Sequence, residues 1–182
     1  AEAHIAVGHI KLLLDWDWAA AEKEFKQGIA LNPSSALAHS QYALCLATLG
    51  RVPAAISEVR RAQELDPMSP IVNSDLGWYL LYGGQTAEAV AQFRSTLEFD
   101  AASVSAHRGL GIALSQQGQH DEAIANLKQA LQLSENSPVI PGHRGPAYGP
   151  AGRRADAEAA PKDLEAQSAR QYVPSTATAA IA

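Results

Sequence analysis

Residues 36–69 read ALAHSQYALCLATLGRVPAAISEVRRAQELDPMS, and residues 70–103 read PIVNSDLGWYLLYGGQTAEAVAQFRSTLEFDAAS. The two segments align without a gap, with Gly50 opposite Gly84 and Ala55 opposite Ala89. The step of 34 residues continues along the chain in columns of similar residues: Ala21, Ala55, Ala89, Ala123 and Ala157; Gly50, Gly84, Gly118 and Gly152; Phe25, Val59, Phe93 and Leu127; Leu31, Leu65, Phe99 and Leu133. Such a fixed period is typical of solenoid proteins, in which each repeat packs only against its neighbours.

Each repeat is predicted to contain two helices. Apolar residues at helical spacing run over 36–49 and again over 53–65, with Gly50 between the two runs. Glycine adopts positive φ at little cost, so Gly50 is expected to turn the chain back on itself. Ser69 before Pro70 predicts an N-cap followed by proline in the first helical turn.

This pattern resembles the tetratricopeptide repeat (TPR) family. The residues that carry the resemblance are Gly8, Ala21, Phe25 and Pro33 in the first unit; Tyr42, Ala43, Leu46, Ala55, Ala62 and Pro67 in the second; Leu76, Gly77, Leu80, Ala89 and Phe93 in the third; and Leu110, Gly111, Leu114, Ala123 and Ala130 in the fourth. The resemblance implies an all-α TPR superhelix, a right-handed α-solenoid of helix-turn-helix hairpins. We expect four units over residues 1–135, at about 1–35, 36–69, 70–103 and 104–137.

Prolines break the pattern after the fourth unit. Pro141, Pro146 and Pro150 fall where a first helix would run, and Pro161 falls within the second. An interior proline removes a hydrogen bond and clashes with the preceding turn, at about 3 kcal/mol or more. Residues 138–171 are therefore expected to form a degenerate fifth repeat or a cap, and residues 172–182 a disordered tail.

The first unit departs from the others in two ways. Its turn, Asp15-Trp16-Asp17-Trp18, is one residue longer, and the two tryptophans are expected to plug this turn and pack on its neighbour. Glu22 stands where the later units have Ile56, Val90 and Ile124, which suggests that no upstream repeat covers it. The long turn also resembles the TPR tails of bacterial multidomain regulators, and the chain begins without a methionine. A sensing tail of a longer bacterial signalling protein or transcription regulator is therefore one alternative.

Composition excludes several functional classes. The net charge of −5 argues against binding driven by phosphate neutralisation, and we expect no nucleic-acid partner. No apolar run approaches the roughly 20 residues that span a bilayer, so we expect no membrane partner and a cytoplasmic location. Cys45 is the only cysteine, which excludes an internal disulfide, and it is expected to be a buried structural thiol.

Neither a metal site nor a catalytic site is predicted. His4, His39 and His107 occupy one position of different repeats, and packed helices lie about 8–10 Å apart, so these rings cannot share one zinc ion. The two carboxylates of Glu22-Lys23-Glu24 are interpreted as part of a solvated helix face rather than as a catalytic pair. We expect no enzyme activity and no cofactor.

The resemblance to TPR proteins implies a peptide-binding groove lined by the first helix of each unit. Carried over position by position, the candidate residues are Leu44, Thr48, Ser74, Trp78, Tyr82, Arg108, Ile112 and Gln116. Ser74, Trp78 and Tyr82 are spaced by four residues, so one helix face presents them together. The lysine and asparagine clamp that binds chaperone tails in some TPR proteins is replaced here by Ser40, Leu44, Ser74 and Trp78.

The prediction is a non-catalytic protein–protein interaction module that binds a peptide or protein segment in the concave TPR groove. Self-association into a homo-oligomer through an apolar groove or through the broken fifth unit is the second hypothesis.

Overall fold

The computed structural model of the chain describes residues 1–134. Over this range the chain forms eight α-helices and no strand, which confirms the predicted all-α fold. The helices are α1 (Glu2–Leu13), α2 (Trp18–Leu31), α3 (Ala36–Thr48), α4 (Val52–Leu65), α5 (Pro70–Tyr82), α6 (Thr86–Phe99), α7 (Val104–Gln116) and α8 (His120–Leu133). The predicted fifth repeat and tail lie outside the described residues.

Serine side chains set the starts of three helices. Ser35, Ser69 and Ser103 precede α3, α5 and α7, and each hydroxyl accepts a hydrogen bond from the backbone N–H three residues later, at 3.2–3.4 Å. These bonds satisfy donors that have no partner inside the helix. The cap at Ser69, with Pro70 in the first turn, confirms the prediction.

Three glycines close the turns between paired helices. Gly50, Gly84 and Gly118 have φ angles of 73°, 75° and 78°, in the left-handed region where a side chain is strained. They lie just after the last residues of α3, α5 and α7. The predicted turns at these positions are therefore confirmed.

Within the described part of the chain, residues 1–85 form one compact unit and residues 86–134 belong to a second. In the first unit α1 packs against α2 and α3 against α4, while α2 also contacts α3 and α4 contacts α5. In the second unit α7 packs against α6 and α8. Two predicted columns are fully buried: Ala21, Phe25, Ala55 and Val59 in the first unit, and Ala89, Phe93, Ala123 and Leu127 in the second.

The last apolar column lies largely at the surface. Leu31 and Phe99 are exposed, and Leu65 and Leu133 are half-buried. These residues occupy the final helical turn, where fewer neighbouring side chains can cover them. They therefore contribute less to the core than the inner columns.

The repeated histidines connect helices within each unit. The His39 ring lies in hydrogen-bond contact through Nδ1 with Glu58 Oε2 at 2.7 Å and through Nε2 with the Pro33 carbonyl oxygen at 3.1 Å. Asn73 stands 34 residues later and donates in the same way to the Pro67 carbonyl, at 2.8 Å. This position therefore holds the start of a first helix against the preceding turn.

Glu22 was predicted to lie uncovered by an upstream repeat, and its carboxylate faces the following repeat instead. Its oxygens accept hydrogen bonds from the Tyr42 hydroxyl at 3.1 Å and from Arg51 Nη1 at 3.0 Å, and Lys26 Nζ lies 2.7 Å away. The bond to Lys26 is the main reason that the pKa of Glu22 is lowered. The acid therefore replaces an apolar contact with an ion-paired one and carries no information about an upstream repeat.

The prediction for the two tryptophans was wrong. Trp16 is 73% exposed and Trp18 41% exposed, so neither plugs the turn. Asp17 between them caps α2 by accepting from the Ala20 N–H at 3.1 Å, and Trp16 adopts a φ of 56°. Both tryptophan rings therefore lie at the surface on either side of the capping aspartate.

Cys45 is fully buried, as predicted. Burial is the largest cause that raises the pKa of its thiol to about 11, so the reactive thiolate is scarce at neutral pH. No helix within residues 1–134 combines the length and the apolar character that crossing a bilayer requires.

Candidate functional site

Helix α5 is buried over most of its surface. Its accessible side chains are Ile71, Asp75, Trp78 and Tyr82, together with Pro70 at its start. Steps of four, three and four residues place the first four side chains on one face of the helix. We refer to Ile71, Asp75, Trp78 and Tyr82 as the α5 stripe.

Two aromatic rings form one end of the α5 stripe. The ring centroids of Trp78 and Tyr82 lie 5.8 Å apart with an interplanar angle of 34°, which is a tilted aromatic contact. Tyr82 is 63% exposed, whereas Trp78 is half-buried. The pair therefore presents a wide aromatic surface that is anchored on the tryptophan side.

Ser74 lies beneath this face rather than on it. It is only 3% exposed, and its Oγ has no hydrogen-bond partner among residues 1–134. Ser74 and Tyr82 are eight residues apart. The angle between their side chains around the helix axis is therefore larger than the angle between any two residues of the α5 stripe. The structure thus places the predicted residues Trp78 and Tyr82 together at the surface and Ser74 in the interior.

Asp75 occupies the middle of the α5 stripe and was not predicted. Burial raises the pKa of its carboxyl from 3.8 to about 6. Within residues 1–134 it forms neither an ion pair nor a hydrogen bond. The pKa of Tyr79, one turn later, is raised mainly by burial and further by the negative charge of Asp75. The sequence does contain a feature that could have identified it, because Asp75 is the only Asp, Glu, Lys or Arg in α5.

Helix α3 carries the corresponding face of the preceding repeat. Leu37 and Thr48 are exposed and Leu44 is half-buried; the Thr48 hydroxyl donates to the Leu44 carbonyl at 2.9 Å. Gln41 takes the place that Asp75 has in α5, and its Oε1 accepts from the His9 ring of α1 at 2.7 Å. This position in α3 is therefore neutral and already hydrogen-bonded.

The second unit carries the other three predicted residues on α7. Arg108 and Ile112 are half-buried and Gln116 is exposed. The Gln116 side-chain oxygen accepts a hydrogen bond from the Thr86 hydroxyl at 3.2 Å, which links the end of α7 to the start of α6. Gln116 thus has a structural contact in addition to any role at the surface.

The geometry of these faces is suited to non-covalent recognition. The α5 stripe combines an apolar side chain, a carboxylate and two aromatic rings on one accessible helix face. Residues 1–134 contain no cluster of three histidine, cysteine or acidic side chains that could hold a metal ion.

A family model described as the tetratricopeptide repeat matches residues 17–70 and 74–138. No curated protein sequence matches the chain. Among solved structures, the chain is similar to PilW, a type IV pilus biogenesis factor, with 22% identity, coverage of 97% of this chain and 80% of that one, and a TM-score of 0.86.

Two further solved structures have the same architecture. TTC0263, a TPR protein of Thermus thermophilus, shares 22% identity over 90% of each chain, with a TM-score of 0.75. MamA from Desulfovibrio magneticus RS-1 shares 18% identity over 94% of this chain and 97% of that one, with a TM-score of 0.75. At such identities the likeness shows the fold alone.

Proposed function

The chain belongs to the tetratricopeptide repeat family, and from this premise we propose that it binds a peptide or protein segment on the accessible faces of its first helices. The TPR fold supports protein–protein interaction in general. In this proposal recognition arises from surface complementarity, and the chain carries out no reaction.

The exposed aromatic pair of α5 is the observation that carries the proposal. A folded protein generally buries large rings, yet Tyr82 is 63% exposed and its ring is in tilted contact with that of Trp78. Tryptophan, tyrosine and arginine are the residues that most often dominate the energy of an interface. A rigid aromatic pair also loses little conformational entropy on binding.

The remaining candidate residues extend the proposed surface within each unit. In the first unit, Leu44 and Thr48 of α3 supply an apolar and a hydroxyl contact. In the second unit, α7 supplies a charged, an apolar and an amide contact through Arg108, Ile112 and Gln116. Ser74 lies one turn before Trp78 in α5 and is buried, so it is not part of the proposed contact surface.

A peptide-selection experiment tests the proposed surface. Peptides selected on the full chain from a random dodecapeptide display library are measured against wild type and against the Trp78→Ala, Tyr82→Ala double variant by fluorescence anisotropy. Loss of two hot-spot rings is expected to weaken binding by about 30-fold or more, since each hot spot contributes about 1–2 kcal/mol or more.

Trp16→Ala is the matched control, because it removes an exposed tryptophan from a turn instead of from a first helix. It should leave the affinity unchanged. Circular dichroism checks that the double variant is folded. If Trp78→Ala unfolds the chain, the affinity of the Tyr82→Ala variant is measured instead. Equal affinity of wild type and the folded variants would contradict the proposal.

Self-association is a second candidate, favoured by an apolar surface on the first hairpin. Val7, Ile10 and Leu14 are exposed and spaced by three and four residues along α1 and its C-cap, and Trp16 follows closely in the chain. Burying such a patch between two copies would be favourable at about 25 cal/mol per Å². Light scattering should then show a mass that rises with concentration in wild type but not in Leu14→Ser, Trp16→Ser; a constant monomer mass for both would exclude it.

A further inference from the structure

We propose that the α5 stripe recognises a cationic side chain, lysine or arginine, of the bound segment, with Asp75 as the counter-charge and Trp78 and Tyr82 as its aromatic contacts. This inference rests on the proposed function and adds the chemistry of the partner. The expected ligand is a segment in which a basic residue lies beside an apolar one.

The spacing along α5 brings the required groups together. Asp75 precedes Trp78 by three residues and Tyr82 by seven, so the three side chains follow one another along a single face. Side chains three residues apart have Cβ atoms about 5–6 Å from each other. A cation placed over Trp78 would therefore lie within reach of the Asp75 carboxylate.

Asp75 differs from the paired acids of the first unit. Five other carboxylates there have a basic or histidine partner: Asp15 with Lys11, Glu22 with Lys26 and Arg51, Glu24 with His4, Glu58 with His39, and Glu64 with Arg61. Asp75 has none among residues 1–134, and α3 and α5 contain no lysine or arginine that could provide one. The acids of this unit that lack a basic partner, Glu2, Asp17 and Asp66, are exposed, whereas Asp75 is half-buried, so a partner's cation would offset a cost that only Asp75 among them carries.

Partial burial makes an external cation favourable. A carboxylate removed from water without a partner is destabilised, and an opposite charge nearby offsets that destabilisation. The same partial burial weakens screening, so the attraction is stronger than between two fully exposed groups. Asp75 is accessible enough to be reached, since it is half-buried rather than enclosed.

The aromatic pair favours the same ligand. Lysine and arginine bind over the face of tryptophan and tyrosine, with tryptophan the strongest of the aromatic residues. Their aliphatic stems can also pack on Ile71 and Tyr82 while the charged group meets the carboxylate. The net charge of −5 adds a long-range attraction for basic segments.

The test compares a charged peptide with its neutral twin. The best dodecapeptide from the selection is synthesised with its basic residue intact and with norleucine in that place. Dissociation constants are measured for wild type and for two variants with the same net charge, Asp75→Asn and Asp66→Asn. Asp66 lies exposed at the end of α4, so its replacement controls for the general loss of one negative charge.

We expect selected peptides to be rich in lysine and arginine. Asp75→Asn should lower the affinity for the basic peptide by about tenfold and the affinity for the norleucine peptide by less than about twofold. Asp66→Asn should leave both affinities nearly unchanged. Enrichment of neutral or acidic peptides, or equal effects of the two variants, would overturn the inference.

The outcomes separate this inference from the function on which it rests. If Trp78→Ala, Tyr82→Ala loses binding while Asp75→Asn does not, the surface is correct and the cationic ligand is wrong. If the aromatic double variant binds like wild type, or if selection enriches no peptide, the proposed surface itself is contradicted.

Discussion

Replacement of Asp75 by asparagine is expected to raise the free energy of unfolding at neutral pH by about 2–3 kcal/mol. The physical reason is that burial disfavours the charged carboxylate, whose pKa rises from 3.8 to about 6. A shift of one pKa unit corresponds to about 1.4 kcal/mol, and the asparagine amide, which also lacks a partner, retains part of the cost.

The pH dependence has a definite sign. Because the folded state binds this proton more tightly than the unfolded state, the contribution of Asp75 to stability is fully present below pH 3.8 and is lost as pH rises to about 6. The advantage of Asp75→Asn over wild type should therefore be small near pH 3.8, grow through this window and level off above it.

Urea denaturation followed by circular dichroism at several pH values measures this difference. Asp66→Asn should give no comparable pH-dependent gain, since Asp66 is exposed. A destabilised Asp75→Asn at neutral pH would mean that the carboxylate makes a favourable contact in the free protein, and it would weaken the case for a ligand cation. If Asp75→Asn is more stable than wild type but binds basic peptides poorly, then the wild-type aspartate lowers stability and serves recognition.

Gly109→Ala is expected to destabilise the protein by about 2–3 kcal/mol through overpacking in the second unit. A Cβ atom built on Gly109 would overlap the ring of Phe93, meeting its Cζ and both Cε atoms. Phe93 is completely buried, so its ring cannot move aside into solvent. The backbone of α7 must shift away from α6, or the ring must leave its preferred rotamer.

A second substitution separates the effect of steric overlap with Phe93 from the general effect of replacing glycine by alanine in a helix. Phe93→Leu in the Gly109→Ala background should restore part of the lost stability, although the same change in wild type leaves a cavity. Gly83→Ala is the control: Gly83 has a φ of −79°, and its added Cβ would lie no closer than 3.3 Å to any neighbour. If both alanine variants were equally stable in urea, the close approach of α6 and α7 at Gly109 would be contradicted.

The regular parts of the molecule were predictable because they depend on local and nearest-neighbour interactions. The 34-residue step located the paired helices, the positive-φ glycines and the buried positions such as Ala55 and Val59, which all recur from repeat to repeat. Ser69 and Pro70 marked a helix start through the capping hydroxyl of the serine and the fixed φ of the proline, both of which are local. Such features need only the residue, its immediate neighbours and the period.

The candidate site was predicted only in part. Trp78 and Tyr82 were identified from family positions, and the structure places their rings in contact at the surface. Ser74 was assigned to the same face but is buried, whereas its neighbour Asp75 is accessible. A change of one residue rotates a side chain by about 100° around a helix, which is enough to move it from the surface into the core.

By itself, the sequence of this protein determined an all-α array of helix pairs, the ends of those helices and the composition of the core. Only the tertiary structure decided which polar and aromatic groups are accessible to a partner. It paired Glu22 with Arg51, turned Trp16 outward and left Asp75 without a counter-charge within residues 1–134. The physical reason is that burial and ion pairing depend on side chains distant in sequence, whereas helix formation depends mainly on residues a turn apart.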